Sequence, residues 1–407
     1  MIVGRGMFFL VAVLAASPAF SQAVSPLEPP PTSRYLKWGP LWARPGLTIP
    51  TLGYDSNVFY RPDGSLLPQV GDYFIALSPR LQGMVLFGHR AFLTFDERLE
   101  FYLYAKQTDV NYFNQLGKMR LTVPFRSFGL YADAGYDRVR DRPIDAQDQR
   151  PIRKETPLGV GAIVKVGWRT DAELGFTHLR ATAEDPDEIL GCTPGVDPGC
   201  FSLAQRNDRT ERGTRLLLTG SRRRIEFDDE AVGRDGREWR YGSGVDFGIG
   251  GKISGTLRAG YAHFDLSDPA AVDYRGIVGD IALAVRLGGQ GSRLTLRGLR
   301  DVRYTLYEST PLYRYGNMDA TLVKYFNRLL GMEAGIGRGT VTYLGDPENR
   351  VDDLLMGSVG VRVRLSENDI GRRVEYAFRY IRTRRDSTND ALDQNRGTIG
   401  FGVSFGY

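Results

Sequence analysis

Charge is the chemistry that this sequence carries in quantity. Of 407 residues, 53 are Lys or Arg and 48 are Asp or Glu, a net charge of +5, against three His and two Cys. Many of the charges recur at every second position of short alternating segments. Arg98, Lys118, Arg120, Lys165, Arg258, Arg275, Arg286, Arg293, Arg297, Arg303, Arg362, Arg364, Arg373 and Arg379 fall on the polar side of their segments. So do Asp96, Glu100, Asp133, Asp137, Glu173, Asp246, Asp280, Asp301, Glu333 and Glu375. Two chemistries suit such a set. Opposite charges that face one another form a lattice stabilising a hydrated wall. A basic stripe instead guides an anionic solute or polymer, because rings of Arg and Lys favour anions. The acidic neighbours blunt the second reading, and both stay open here.

Covalent and metal chemistry have little to work with. His89 lies in a turn signal, His178 and His263 are isolated, and none has a Ser or Cys nucleophile in a recognisable setting. Gly335-Ile-Gly337-Arg-Gly339 resembles a phosphate loop superficially. It falls in an alternating segment with no following helix, so a row of small residues on one strand face is the better account. No cofactor is expected, and the chain offers no nucleic-acid module. Cys192 and Cys200 stand in the longest polar loop. In an exported chain two loop cysteines pair as a disulfide that staples the loop, worth on the order of 2–3 kcal/mol in the chain-entropy model. A metal site is the lesser reading, since no His or further Cys lies near.

The elements that must position these charges are strands. Ile399, Phe401, Val403, Phe405 and Tyr407 share one face, with Thr398, Gly400, Gly402, Ser404 and Gly406 on the other. A period of two places each set on opposite sides of a strand. Leu355, Val359, Val361, Val363 and Leu365 repeat the pattern against Ser358, Gly360, Arg362 and Arg364, as do Val374, Tyr376, Phe378 and Tyr380 against Arg373, Glu375, Ala377 and Arg379. In the run from Leu93 to Leu103, Glu97 breaks the apolar face.

Short turn signals, such as Gly88-His-Arg90, Ser221-Arg222 and Gly250-Gly251, alternate with longer polar loops such as 61–72, 138–154 and 184–208. Tight turns at one end and extended loops at the other mark an outer-membrane barrel. The expected fold is all-β: a transmembrane, antiparallel, up-and-down barrel of about eighteen strands (16–18) over residues 46–407. A soluble sandwich or solenoid would show the same alternation, with the apolar stripe as core. The loop asymmetry, the small and charged polar side, and a closing strand that ends on an aromatic, Tyr407, favour the membrane barrel. Pro50, Pro79 and Pro124 fall in or near strands and mark ends or bulges. The pattern is weakest from Arg222 to Arg240.

Residues 1–23 have the order of a secretory signal peptide: Arg5, an apolar run from Met7 to Ala16, then small residues to Ala23. The apolar run is too short for a membrane anchor. Residues 24–45 read as a Pro-rich periplasmic leader containing Trp38 and Trp42. Trp168, Trp239 and many tyrosines near strand ends suit an aromatic girdle at headgroup level.

Three segments resemble the β-barrel porin type 2 family, whose members are outer-membrane barrels often encoded beside exopolysaccharide or capsule genes. Gly53-Tyr-Asp-Ser-Asn-Val-Phe59, followed by Leu77-Ser-Pro-Arg-Leu81, resembles the family's opening strand. Arg300-Asp-Val-Arg-Tyr-Thr305 resembles a mid-barrel segment, and Tyr380 to Ser387 with Asn395 to Tyr407 resembles the final hairpin. The resemblance implies a conduit, with polysaccharide as cargo, and carries no catalytic residues. The expected partners are outer-membrane lipid, the assembly machinery that reads the strand ending at Tyr407, and polysaccharide. An outer-membrane enzyme and a plugged structural barrel are the alternatives.

Overall fold

A computed structural model describes residues 27–30, 32, 35–88, 90–140, 152–167, 170–183, 214–226, 235–249, 251–267, 272–288, 292–304, 312–367 and 373–406. The expectations placed on residues 1–23, His89, Trp168, Cys192, Cys200 and Tyr407 lie outside the described residues. The strands are β1 (Leu36–Trp38), β2 (Leu41–Asp55), β3 (Asp72–Phe87), β4 (Ala91–Tyr104), β5 (Tyr112–Pro124), β6 (Phe128–Arg140), β7 (Ile152–Lys165), β8 (Thr170–Ala183) and β9 (Thr214–Glu226). They continue with β10 (Gly236–Ile249), β11 (Ile253–Leu266), β12 (Tyr274–Arg286), β13 (Arg293–Tyr304), β14 (Leu312–Tyr325), β15 (Leu330–Leu344), β16 (Val351–Glu367), β17 (Arg373–Ser387) and β18 (Gln394–Gly406). All but β1 exceed the ~9–11 residues with which a tilted strand crosses a bilayer.

Successive strands pair, and β18 returns to pair with β2, so β2 to β18 close a ring of 17 strands. The short β1 adds to β2 through a turn at Gly39, whose φ of +56° suits a residue without Cβ. One pairing corrects the all-antiparallel expectation. β8 and β9 run parallel, from Thr170 beside Thr214 to Thr182 beside Glu226. An odd ring cannot alternate direction all the way round, so one parallel seam is forced. The odd number has a local origin. Ser221 and Arg222, read as a turn, lie inside β9 opposite Arg240 and Trp239. Gly220 precedes the pair, but it and Ser221 and Arg222 stay in register with Tyr241, Arg240 and Trp239, so the ladder continues through it.

Apart from the step from β8 to β9, short connections (88–90, 125–127, 166–169, 250–252, 287–292, 326–329, 368–372) collect at one rim and longer ones at the other. The prolines sit where a missing N–H costs least. Pro50 lies at the register shift between Thr48 and Thr51, Pro79 where the β3–β4 ladder skips from Leu77 to Arg80, and Pro124 at the end of β5. Regular structure begins before residue 46, at Leu36 and Leu41. Leu27 packs against Tyr131 and Ile163 on the inner wall, above Gly129, so this part of the leader turns into the ring.

The outer face of the ring is apolar: Met318, Ile277, Leu174 and Ile336 are each more than 60% exposed there. The inner face holds the charges. An exposed apolar band around a closed β-ring is a surface for lipid, and the two-length rims are those of the outer-membrane type.

Candidate functional site: the charged lumen

The inner wall carries its charges as cross-strand clusters. Beside β3 to β9, Arg80 holds Asp96, which also accepts from Gln82 at 3.1 Å. Arg98 meets Glu100 at 3.1 Å. Arg120 joins Asp133 and reaches Glu173 at 3.3 Å, which Arg215 approaches from β9 at 3.6 Å. Arg120 also lies 3.7 Å from the centre of the Tyr131 ring, a cation–π contact. That reach from β5 to β8 passes over Gly159, Gly161 and Gly175, whose missing side chains leave the room.

On β15 to β17, Glu333 is the hub. It joins Arg362 and accepts from Arg379 Nε at 2.9 Å, while Arg362 donates on to Glu375 at 2.5 Å and Arg364 lies 3.8 Å from Glu375. On β10 to β12, Arg258 lies 3.1 Å from Asp246 and 3.8 Å from Asp280. These groups face one another with opposite sign, so much of the inner wall is a neutralised lattice. Arg286, Arg293 and Arg297 form a different neighbourhood. They are exposed on the inner face of β12 and β13 toward the short-turn rim, with Arg286 directly opposite Arg293 and Arg297 opposite Asp319.

The β13–β14 hairpin packs against the inner wall. β12 pairs with β13 only from Gly279–Arg300 to Arg286–Arg293, so Tyr274 to Val278 have no ladder partner in β13. Beyond Arg300 the hairpin leaves the wall and bends inward. Strict alternation would point Val302 and Leu312 at lipid. Instead both are buried, packed with Ala262, Phe264 and Val278 of the inner faces of β11 and β12 and with Ala181 of β8. Arg240 of β10 reaches past two strands to latch the bend. It donates to Asp301 at 2.7 Å and to the Val302 carbonyl at 3.1 Å, and also meets Glu238. Arg303 adds a contact to Asp301 at 3.5 Å. Val272, just before β12, lies against Gly345 of the β15–β16 turn, spanning the two sides of the inward hairpin.

Of the residues singled out from sequence, Asp96, Arg98, Glu100, Arg258, Asp280, Arg286, Arg293, Arg297, Arg303, Glu333, Arg362, Arg364 and Arg379 have inward register positions. They do not form one site. Arg258 and Arg303 are almost wholly buried, whereas Arg293 and Arg297 are open. Arg275 is a correction: it stands beside His263 on the outer face, since inward Tyr274 and Gly276 flank it on β12. Sequence reasoning missed Arg80, Arg215, Glu238 and Arg240. Arg240 lies between Trp239 and Tyr241, an alternation that stood inside the stretch judged weakest.

The residues that carry the family resemblance close the barrel. Asp55 is fully buried and takes Arg396 of β18 at 2.6 Å, where first and last long strands meet. Asn57 donates its amide to the Arg61 carbonyl and accepts from the Arg61 N–H, fixing the turn, and Arg396 stacks 4.0 Å from the Tyr60 ring centre. Farther out, Asp63 accepts from the Asn395 N–H at 3.0 Å. The motif is thus a bolt on the closure seam.

No family model matches this sequence, and no curated protein matches it. The structure is similar to that of a BenF-like porin from Pseudomonas fluorescens Pf-5, with a TM-score of 0.47 and 10% identity over 89% of this chain and 98% of that one. It is similar to OccK9 (OpdG) of Pseudomonas aeruginosa, with a TM-score of 0.47 and 9% identity over 90% and 98% of the two chains. OprD of Pseudomonas aeruginosa gives a TM-score of 0.42 and 11% identity over 89% and 93%. Likeness at this level leaves function to the chain's own geometry.

Proposed function

We propose that this chain is an exported, passive outer-membrane pore, constricted on its long-loop side and lined by charge. The observation that carries the reading is a closed ring with lipid-facing apolar residues outside and ion-paired polar residues inside. A ring of this strand number encloses an aqueous channel unless it is plugged. Arg286, Arg293 and Arg297 line the open side, and the inward β13–β14 hairpin sets the passage. Residues 1–23 direct export, and the final strand to Tyr407 serves assembly. Polysaccharide passage rests on the sequence resemblance alone.

The dense packing around Val302 and Leu312 favours one second reading, a barrel plugged at that level. Single-channel conductance of the refolded barrel in a planar bilayer separates the two. Steady conductance is the expected result. A silent barrel that shows heat-modifiable migration, the mark of a folded barrel, would overturn the pore and leave the plugged one.

A further inference from the structure

The seam between β12 and β13 changes character in the long-loop half of the wall. From the short-turn rim the ladder runs from Arg286–Arg293 to Gly279–Arg300, and beyond that rung Tyr274 to Val278 have no partner in β13. The bonds at the foot of the seam show which backbone groups face the break. The Arg286 N–H donates to the Lys252 carbonyl on the β11 side, and the Leu287 N–H to the Ser292 carbonyl on the β13 side. Successive residues of a strand alternate in this, so Arg275 and Ile277 turn their N–H and C=O groups toward the break. An unbroken ladder would set Val302 opposite Ile277. Side chains serve Val302 instead: its N–H donates to Asp301 at 2.8 Å, and its carbonyl accepts from Arg240 at 3.1 Å. The hairpin is thus held off the wall by bonds of its own. Toward the long loops Val272 lies against Gly345, so the break is bounded at both ends.

Apolar side chains fill it. Ala262, Phe264, Val278, Val302 and Leu312 are fully buried behind the break, in an inner wall that elsewhere carries ion pairs. On the lipid side Ile277 is 67% exposed. A seam closed by side-chain packing parts without loss of ladder hydrogen bonds, and its apolar lining gives a hydrocarbon chain a continuous surface from lipid to lumen.

Arginines mark the outer side of the break. Arg300, on the last rung, is exposed between Gly279 and Gly316, and a Cβ on Gly316 would have nothing within 4 Å. Arg314 stands opposite Val302 on the hairpin and reaches Thr342 Oγ1 at 3.4 Å. Among the described residues neither arginine meets a carboxylate. The acids at the long-loop rim are engaged elsewhere, Asp265 with His263 at 2.7 Å and Asp273 with the Leu266 N–H at 3.1 Å. Ionisable groups at membrane depth mark a ligand or a pathway. We propose that the break is a lateral portal between the outer leaflet and the lumen for a single-chain amphiphile with an anionic head. The head lies at Arg300 and Arg314, and the chain passes between Ile277 and Val302 into the Phe264–Leu312 cluster. This rests on the barrel spanning a membrane, as proposed above, but does not need the lumen to conduct ions.

A long-chain carboxylate with a diazirine near the end of its chain tests the portal in the refolded barrel, beside the matching alcohol and a short-chain carboxylate. Ultraviolet light should attach the long-chain acid saturably to Phe264, Val278, Val302 or Leu312. It should do so at about tenfold lower concentration than the alcohol, the effect of one charge-assisted contact, and the short acid should not compete. Arg300→Gln combined with Arg314→Gln should erase the preference for the acid. Arg338→Gln, at an arginine that meets Asp353 at 3.2 Å, should keep it. Should the double variant lack heat-modifiable migration, the wild-type comparison of acid and alcohol carries the test. Attachment confined to outward residues such as Ile277, equal attachment of acid and alcohol, competition by the short acid, or an undiminished preference in the folded double variant would each overturn the proposal. Ion conductance is recorded on the same preparation, so a silent barrel whose interior is still labelled overturns the pore and upholds the portal.

Discussion

Arg240→Gln is the substitution that tests the constriction, because Arg240 is the side chain that ties the inward hairpin to β10, past the two strands between them. Removing one partner of a buried ion pair costs about 3–5 kcal/mol, since the other charge is left uncompensated. Here the lower end applies. Asp301 keeps Arg303 at 3.5 Å, and Glu238 keeps Arg223 at 3.5 Å. Against this, Val302 and Leu312 hold the hairpin inward by burial, about 1.5–3 kcal/mol each. A loss of about 3 kcal/mol moves the ratio of docked to undocked hairpin by roughly 100-fold. The apolar contacts alone, about 3 kcal/mol at the weak end of their range, then still favour the docked hairpin, so the undocked state is a minority visited briefly. Planar-bilayer recordings should show a second, larger conductance level in the variant, visited reversibly, with wild type resting at the smaller level. Heat-modifiable migration checks that the barrel still folds. A folded variant whose recordings match wild type in level and noise would refute the latch, and with it the placement of Asp301 and Val302 as the narrowing element.

Other outcomes follow from the same geometry. Glu333→Gln removes the hub carboxylate shared by Arg362 and Arg379, so the reversal potential in a salt gradient should move toward anion preference; an unchanged potential would mean that this cluster is away from the ion path. Ile336→Arg places a charge on the lipid face near the middle of β15 and should destabilise the barrel by about 2–4 kcal/mol in a bilayer unfolding titration, whereas Thr321→Arg, on the inner face of β14, should cost much less. Similar losses at the two positions would contradict the assignment of faces. Asp55→Ala strips Arg396 of its buried partner at the closure seam and should cost about 3–5 kcal/mol, seen as a lower temperature for loss of the fast-migrating form. A thiol-reactive probe should label Cys192 and Cys200 only after reduction; labelling without reductant would remove the disulfide expectation.

Much of the wall was legible because a strand writes its two faces at alternate positions. The run from Leu355 to Leu365 and the run from Val374 to Tyr380 fall on the outer face in the register, with Arg362, Arg364, Glu375 and Arg379 inside. Glu97, the break in one apolar face, is accommodated locally: it lies over Gly117 on the outer face and accepts from Gln115 at 2.8 Å. Where alternation weakens, so does the reading. The charged stretch from Arg222 to Arg240 concealed both the continuous β9 and the latch residue Arg240. Arg275 was misplaced because the usual assignment is reversed there: Tyr274 and Val278 take the inner face, while Arg275 stands outside beside His263.

The sequence by itself determined the fold class, the strand-and-rim pattern and the facing of most charges, since each follows from periodicity and turn composition within a few residues. Only the tertiary structure decided how the ring closes, with an odd count and one parallel seam. Only it showed that Val302 and Leu312 turn away from lipid and that Arg240 and Asp301 meet across two intervening strands. These are relations between residues far apart in the chain. Local periodicity constrains which way a side chain points, but which partner it meets depends on the register of the whole ring.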